Sequence, residues 1–333
     1  MMTRALRWGV LSTAGINEKI FAAAAGTDRA DVMAVASRSE SRATAYAAGW
    51  NIPTAYGAYD DLLADDQVDA VYVSLPNGLH HEWTMRALRA GKHVLCEKPY
   101  SRWPAEVEEA FATARELGLV LSEAFMFRYH PQIVRLAELV LDQGVIGDLQ
   151  LVTSSFSWPT ETAGDVRLDL ALGGGALLDV GVYCVSVGRL LAGEPLSVTA
   201  QQATDPTGVD GAFVATMQFA SSVLSHFDCG IHLPDRSHLE VVGDLGSITV
   251  SDPWHCAEPH LSLLLRGEAP RDVPVGGADS YRLELEEFDR AVRGVPNRLL
   301  GGEDALGQAR AVDALFRAAD TGQRVAVERG PLI

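Results

Sequence analysis

The sequence predicts an α/β protein in two parts, a parallel sheet covered by helices and then a larger, mostly antiparallel sheet. The first part is read from the first third of the chain. There, short continuous apolar runs alternate with capped helical segments, the pattern of strands buried on both faces. The second part is read from the change past residue 125, where strand-like runs follow one another across turn residues with no regular helix between them. The length, 333 residues, suits two units with ample core. The boundary falls between 1–124 and 125–333, as a change of pattern rather than a linker.

Taken in order, 6–11 reads as a strand and 17–25 as a helix stopped by Gly26. A second strand covers 32–36 and a helix 41–49. Residues 70–74 form a strand, 80–90 a helix ending at Gly91, and 93–97 a strand. The helix at 104–117 has proline in its first turn and Gly118 beyond its end. Residues 119–122 close the series. His130-Pro131 opens a helix reaching about Gln143, and 148–158, 212–219 and 223–231 read as strands. Pro195, Asp205-Pro206, Asp210-Gly211 and Asp244-Leu245-Gly246 mark turns. Residues 281–292 and 302–319 are helical.

Apolar residues make up 47% of the chain, the formal charge is -17 and the pI is about 4.9. Such an acidic balance argues against nucleic acid and anionic membrane as partners, while leaving room for a local basic pocket. The four cysteines, Cys96, Cys184, Cys229 and Cys256, show no C-x-x-C pair and sit among apolar residues, so they are expected as buried free thiols in a reducing compartment. No run approaches 18 apolar residues, and the chain enters its first strand almost at once, so neither a membrane span nor a signal peptide is expected. Cytoplasm is the expected location.

Two stretches carry most of the chemistry. The strand His93-Val94-Leu95-Cys96-Glu97-Lys98-Pro99 delivers Lys98 to the edge of the parallel sheet where such sheets bind ligands. Lys98 could bond a substrate oxygen and stabilise developing negative charge, or be an ordinary strand-end lysine. Glu97 points to the opposite face. The run Gly173-Gly174-Gly175-Ala176-Leu177-Leu178-Asp179-Val180-Gly181-Val182-Tyr183 places Asp179 and Tyr183 on one face of a helix. Tyr183 is a poor base at its free pKa, but a nearby ammonium lowers it, and Lys98 could supply that charge if the two domains close on each other. Asp179 would orient the lysine or the substrate. The alternative is a core tyrosine bonded to a carboxylate.

Other segments suit a nucleotide. The turn Ser12-Thr13-Ala14-Gly15-Ile16-Asn17 stands where a dinucleotide fingerprint would be, with its glycines replaced by small residues and Asn17. Ser37-Arg38-Ser39-Glu40-Ser41-Arg42 follows the second strand. Its arginines suit a 2′-phosphate, favouring NADP and leaving NAD possible. Ser74-Leu75 lead into Pro76-Asn77-Gly78-Leu79-His80, which either passes under the nicotinamide ribose or only shapes a turn. Arg128 and Arg167 reach the cofactor or substrate, or form structural ion pairs. The histidines show no metal spacing, so no metal is expected. No G-x-S-x-G elbow appears.

Together, Glu97-Lys98-Pro99, Glu123-Ala124-Phe125-Met126-Phe127-Arg128-Tyr129-His130-Pro131 and Gly174 through Cys184 resemble the glucose–fructose oxidoreductase / inositol dehydrogenase / rhizopine-catabolism oxidoreductase family. The resemblance covers essentially the whole chain. It implies an N-terminal Rossmann domain and a C-terminal open sheet whose outer face makes subunit contacts, hence a homodimer or homotetramer. It also implies Lys98 and Tyr183 at the reacting carbon and a frequently cis Pro99. Many relatives carry histidine where this chain has Tyr183, which points to the dihydrodiol and NADP-dependent xylose dehydrogenase branch. The expected activity is hydride transfer between nicotinamide and a sugar or cyclic polyol. Rivals are a trans-dihydrodiol dehydrogenase with Phe156, Trp158 and Trp254 lining an apolar pocket, a keto-sugar reductase, and a non-catalytic dinucleotide-sensing regulator.

Overall fold

The computed structural model describes residues 4–160 and 164–328; the chain ends that bound the two expected domains lie outside these. The first sheet is built from β1 (Leu6–Leu11), β2 (Ala30–Ala36), β3 (Thr54–Tyr56), β4 (Ala70–Val73), β5 (His93–Glu97) and β6 (Leu121–Ala124). They lie in the order β3-β2-β1-β4-β5-β6, and every pair is parallel. Helices α1 (Asn17–Ala25), α2 (Glu40–Trp50), α3 (Tyr59–Leu63), α4 (His80–Arg89) and α5 (Pro104–Leu117) connect the strands. The order reverses between β1 and β4, and the crevice above that switch is where such sheets take ligands. Burial on both faces explains the continuous apolar strands. Trp8, Val10, Tyr72 and Leu95 enter one core, while Leu11, Val71, Val73 and Val94 enter the other.

The second part opens with α6 (Pro131–Ala137), extended by a wider π turn over Glu138–Asp142. Strands β7 (Leu149–Ser157), β8 (Ser197–Thr204), β9 (Asp210–Gln218), β10 (Leu224–Gly230), β11 (Arg236–Gly243), β12 (Gly246–Ser251), β13 (His260–Leu265), β14 (Arg271–Val273) and β15 (Val325–Ala326) form one sheet. Its order is β14-β13-β12-β11-β7-β10-β9-β8-β15. Only β7 and β10 run parallel; the other neighbours are antiparallel. Helices α7 (Val182–Ala192) and α9 (Gly302–Thr321) pack on one face, and α8 (Ser280–Val292) lies between them in sequence order.

Three readings need correction. β3 and α3 were not anticipated, because three residues are too few to show strand periodicity. The division at residue 124 is not clean. Leu285 and Phe288 of α8 enter the core of the first sheet, where the Phe288 ring lies 4.9 Å from Trp8. Ala305, Leu306 and Ala309 of α9 cover its other face, since each apolar face needs a helix over it. Finally, residues 170–192 are long and apolar enough to pass as a membrane span, yet 67% of the 18-residue apolar window within them is buried in the interior. They are a core segment broken by its own glycines.

The turn after β1 shows how serine replaces the first fingerprint glycine. Ser12 has φ +130°, a region that L side chains rarely adopt. Its hydroxyl is anchored to Ser74, 3.0 Å from the carbonyl and 2.9 Å from the hydroxyl, and accepts from Ala14 N at 3.1 Å. Ser12→Ala should lose these bonds and keep the strain, whereas Ser12→Gly loses both. With strain of roughly 1–3 kcal/mol, urea unfolding should find the alanine variant less stable than the glycine variant by at least about 1 kcal/mol; equal stabilities would contradict this.

Candidate active site

A cleft of about 1310 Å³ runs from the C-terminal edge of the parallel sheet to the inner face of the second sheet. Ordinary small-ligand pockets measure roughly 300–1,000 Å³, so there is room for a cofactor and a substrate together. At one end, Ser12, Thr13, Ala14 and Ile16 follow β1, Ser37, Arg38 and Arg42 follow β2, and Ser74, Leu75 and Asn77 follow β4. The turn presents small residues and backbone N–H groups at the start of α1, where anions are favoured. Lys19, Arg38 and Arg42 line this end, and none joins the ion pairs formed among the described residues. This donor set fits the phosphates of a dinucleotide.

Three residues expected at the cofactor do not line the cleft. Asn17 is fully buried, where its amide donates to Ser12 O at 3.0 Å and accepts from Ser74 Oγ at 2.6 Å. It braces the turn from behind. His80 is fully buried too, with its ring nitrogens 2.8 Å from the Pro99 carbonyl oxygen and 2.7 Å from that of Leu75. It ties the loop after β4 to the turn after β5. Arg128 donates to Ser186 Oγ at 3.0 Å and pairs with Asp304 at 3.6 Å, the structural ion pair of its two readings. Asn77 does line the cleft, and its amide donates to Gly173 O at 2.8 Å, joining the two parts across the opening. Gly78 lies so close to this loop that a Cβ would stand 3.0 Å from Ala171 O.

At the other end β5 delivers Glu97 and Lys98 to the cleft, and the Lys98–Pro99 peptide is cis. Glu97 accepts from the Tyr72 hydroxyl and, at 3.3 Å, from the Lys98 backbone N–H. Its own side chain does not pair with Lys98 Nζ, which instead donates to the Asp179 carbonyl at 2.5 Å and lies 3.4 Å from its Oδ1. Asp179 sits on a π turn, Leu177–Gly181, that leads into α7. Such widened turns shift carbonyls off the i+4 ladder and gather at functional sites. Asp179 Oδ2 also accepts from Trp158 Nε1 at 3.2 Å and Arg167 Nε at 3.0 Å. Arg167 stacks 4.6 Å above Trp158 and pairs with Asp165 at 3.2 Å.

Tyr183 packs against Phe156, with ring centroids 5.3 Å apart, and against Trp254 at 6.0 Å. Lys98 Nζ lies 5.2 Å above its ring. The hydroxyl faces Met126 Sδ at 3.9 Å. The expected ammonium-lowered pKa does not hold. Burial raises the phenol well above the usual tyrosine range, and Tyr281, Glu97, Asp179 and Glu284 push it the same way. The lysine meets the ring rather than the oxygen, so it does not offset the burial.

Residues 6–125 match the family model described as an oxidoreductase family with an NAD-binding Rossmann fold, and 134–249 match the GFO/IDH/MocA C-terminal domain. The chain belongs to the GFO/IDH/MocA oxidoreductase family. It is 37% identical over 330 residues to a D-xylose 1-dehydrogenase (NADP(+)) of Haloferax volcanii, covering 97% of this chain and 100% of that one. It is 35% identical over 268 residues to the trans-1,2-dihydrobenzene-1,2-diol dehydrogenase of Homo sapiens, covering 79% of each. A 3-ketoreductase from Actinomadura kijaniata, solved with NADP and TDP-benzene, superposes with a TM-score of 0.89 at 33% identity, covering 95% of this chain and 98% of that one.

Within this GFO/IDH/MocA cleft, the remaining expected residues Phe156, Trp158, Arg167, Asp179, Tyr183 and Trp254 all line the wall. Sequence reading missed Lys19, Tyr59, Trp83, Met126, His255 and Tyr281, which line it as well. Lys19 could have been found two residues past the turn, at the helix start. Tyr281 comes from a distant helix and leaves no local signal. Since burial holds the Tyr183 phenol in its acid form, wild type and Tyr183→Phe should show the same tyrosinate absorbance up to about pH 10, near the free tyrosine value. A tyrosinate lost from the variant's titration below that pH would contradict the assignment.

Proposed function

We propose that the protein is an NADP-dependent oxidoreductase that moves hydride between the nicotinamide and a hydroxyl-bearing carbon of an uncharged sugar or cyclic polyol, in the manner of an aldose dehydrogenase. The observation that carries this reading is the separation of charge along the cleft. The cations without carboxylate partners, Lys19, Arg38 and Arg42, lie at the end that suits phosphates. At the other end Lys98 is held by Asp179, and Arg167 by Asp179 and Asp165. No unpaired cation among the described residues there awaits a second diphosphate, which disfavours a nucleotide-linked sugar. The aromatic wall of Phe156, Trp158 and Trp254 suits the apolar face of a ring.

The nicotinamide supplies the hydride acceptor in oxidation and the donor in reduction. In this reading Lys98, positioned by Asp179, offers an N–H to the substrate oxygen and stabilises charge as it develops. In reduction Tyr183, kept protonated by burial, gives its proton to the nascent alkoxide; in oxidation it takes the substrate's hydroxyl proton only as the tyrosinate, so its own proton must leave first. Arg38 and Arg42 hold the 2′-phosphate that separates NADP from NAD. The aromatic wall also supports the dihydrodiol dehydrogenase reading, which the same assay separates.

The face of the second sheet away from the helices exposes Val214 (56%), Leu224 (48%) and Leu264 (41%). These support a homodimer or homotetramer through that sheet. Light scattering should give a multiple of the protomer mass that Val214→Glu with Leu224→Glu reduces to a single protomer; a monomeric wild type would overturn this. Four buried free thiols support a reducing compartment, the cytoplasm.

The deciding experiment is a panel of aldoses, polyols, keto-sugars and cyclic diols assayed with NADP and NAD by nicotinamide absorbance. Aldoses should turn over with NADP, Arg38→Ala should erase the preference over NAD, and Lys98→Ala and Tyr183→Phe should each cut kcat by roughly 10²-fold or more. Comparable kcat/KM with both cofactors would remove the NADP assignment. Turnover of cyclic diols alone would favour the dihydrodiol reading. NADPH binding without oxidation of any compound would favour a sensor.

A further inference from the structure

The glycine run ahead of Asp179 leads to a residue outside the cleft wall. Gly175 has φ +115°, and a Cβ there would stand 1.9 Å from Asp210 Oδ1. Only glycine admits the carboxyl group this closely. Asp210 is the first residue of β9 and is 5% exposed. Its Oδ2 accepts from Leu177 N at 2.7 Å. Leu177 begins the π turn that carries Asp179, and the turn runs without a break into α7 and Tyr183.

The start of a helix leaves N–H groups unpaired, and they need an acceptor when buried. Ala176, at the cap position of this turn, has no side chain to supply one. Asp210 does so from a neighbouring strand. The consequence reaches the reacting pair because Lys98 bonds the backbone carbonyl of Asp179 as well as its side chain. The location of Lys98 Nζ therefore depends on where the backbone of the turn sits, and not only on a rotamer of Asp179.

We infer that Asp210 is a positioning residue that anchors the amino end of 177–192 and thereby holds Asp179 and Tyr183 in register with Lys98. The working group is the acceptor oxygen rather than the charge. Burial pushes the carboxyl up to about 7, with the backbone bond from Leu177 and the charge of Arg102 pulling the other way. An asparagine at this place keeps the acceptor.

The inference rests on the reading that Lys98 acts on the substrate, so Lys98→Ala is assayed alongside. Asp210→Ala, Asp210→Ser and Asp210→Asn are compared with wild type using D-xylose and NADP, with NADPH binding followed by fluorescence. Since a displacement of about 1 Å can cost on the order of a hundredfold in rate, Asp210→Ala and Asp210→Ser should lower kcat roughly 10- to 100-fold, leave the NADPH dissociation constant within about twofold, and be rescued to within about threefold in Asp210→Asn. A crystal structure of Asp210→Ala, or of Asp210→Ser if the alanine variant does not fold, should show the Lys98 Nζ to Asp179 O distance lengthened beyond hydrogen bonding. Unchanged kcat, an unchanged distance, or equal loss in all three variants together with loss of NADPH binding would overturn the inference. Retained turnover in Lys98→Ala would instead overturn the reaction scheme, whatever the Asp210 variants do.

Discussion

Asp179 is the point on which the reaction end of the cleft depends. Three donors converge on it from separate places in the chain: Lys98 from the end of β5, Trp158 from just beyond β7, and Arg167 from the loop ahead of the glycine run. Lys98 and Asp179 are each about seven-eighths buried, with side chains 13% and 14% exposed. Partly desolvated cations of this kind are tolerated only while their acceptor stays in place. The same contacts join the parallel sheet to the second sheet, so the chemistry sits on the seam that holds the two parts together. The bond from Asn77 to Gly173 is a second stitch in that seam.

Burial pushes the acidic groups near this paired lysine toward their neutral forms. Burial raises the carboxyls of Glu97 and Glu284 and the phenols of Tyr72, Tyr183 and Tyr281. Ionising one of them places a negative charge in a medium that solvates it poorly, and for Glu97 the charge of Lys98 and the bond from Tyr72 offset part of that cost. Lys98, Arg167, Asp165 and Asp179, which line this end, are paired with one another. A neutral substrate entering such a site disturbs no ion pair, which an additional phosphate would do.

Much of the fold was legible because burial on both faces writes itself into a strand as an unbroken apolar run. The limits of β1, α1, β5 and α5 are those read from the sequence. β3 escaped because three residues carry no period. The lining of the cleft was legible where a residue type and a strand end coincide, as at Lys98 and Arg38. It was not legible where direction decides. Asn17, His80 and Arg128 all follow strands or turns at the right place, yet their side chains point inward to carbonyl and hydroxyl partners. Tyr183 lines the cleft, but the lysine does not lower its pKa, because a sequence shows that a lysine is available and not which part of the ring it meets. The similarity of the chain to a xylose dehydrogenase, a dihydrodiol dehydrogenase and a sugar ketoreductase fits a fold in which the reacting group is fixed and the wall beside it varies.

The return of α8 and α9 to the first sheet bears on modularity. Leu285 and Phe288 close one of its faces, and Ala305, Leu306 and Ala309 the other. The nucleotide half is thus completed only by the last helices of the chain. A nascent chain that has emerged only as far as β6 carries a sheet with both apolar faces partly uncovered. A chimaera that grafts this half onto another partner inherits the same exposure unless residues 280–321 travel with it. In this architecture the unit that folds together is discontinuous in sequence, and recombination at the apparent boundary would cut through it.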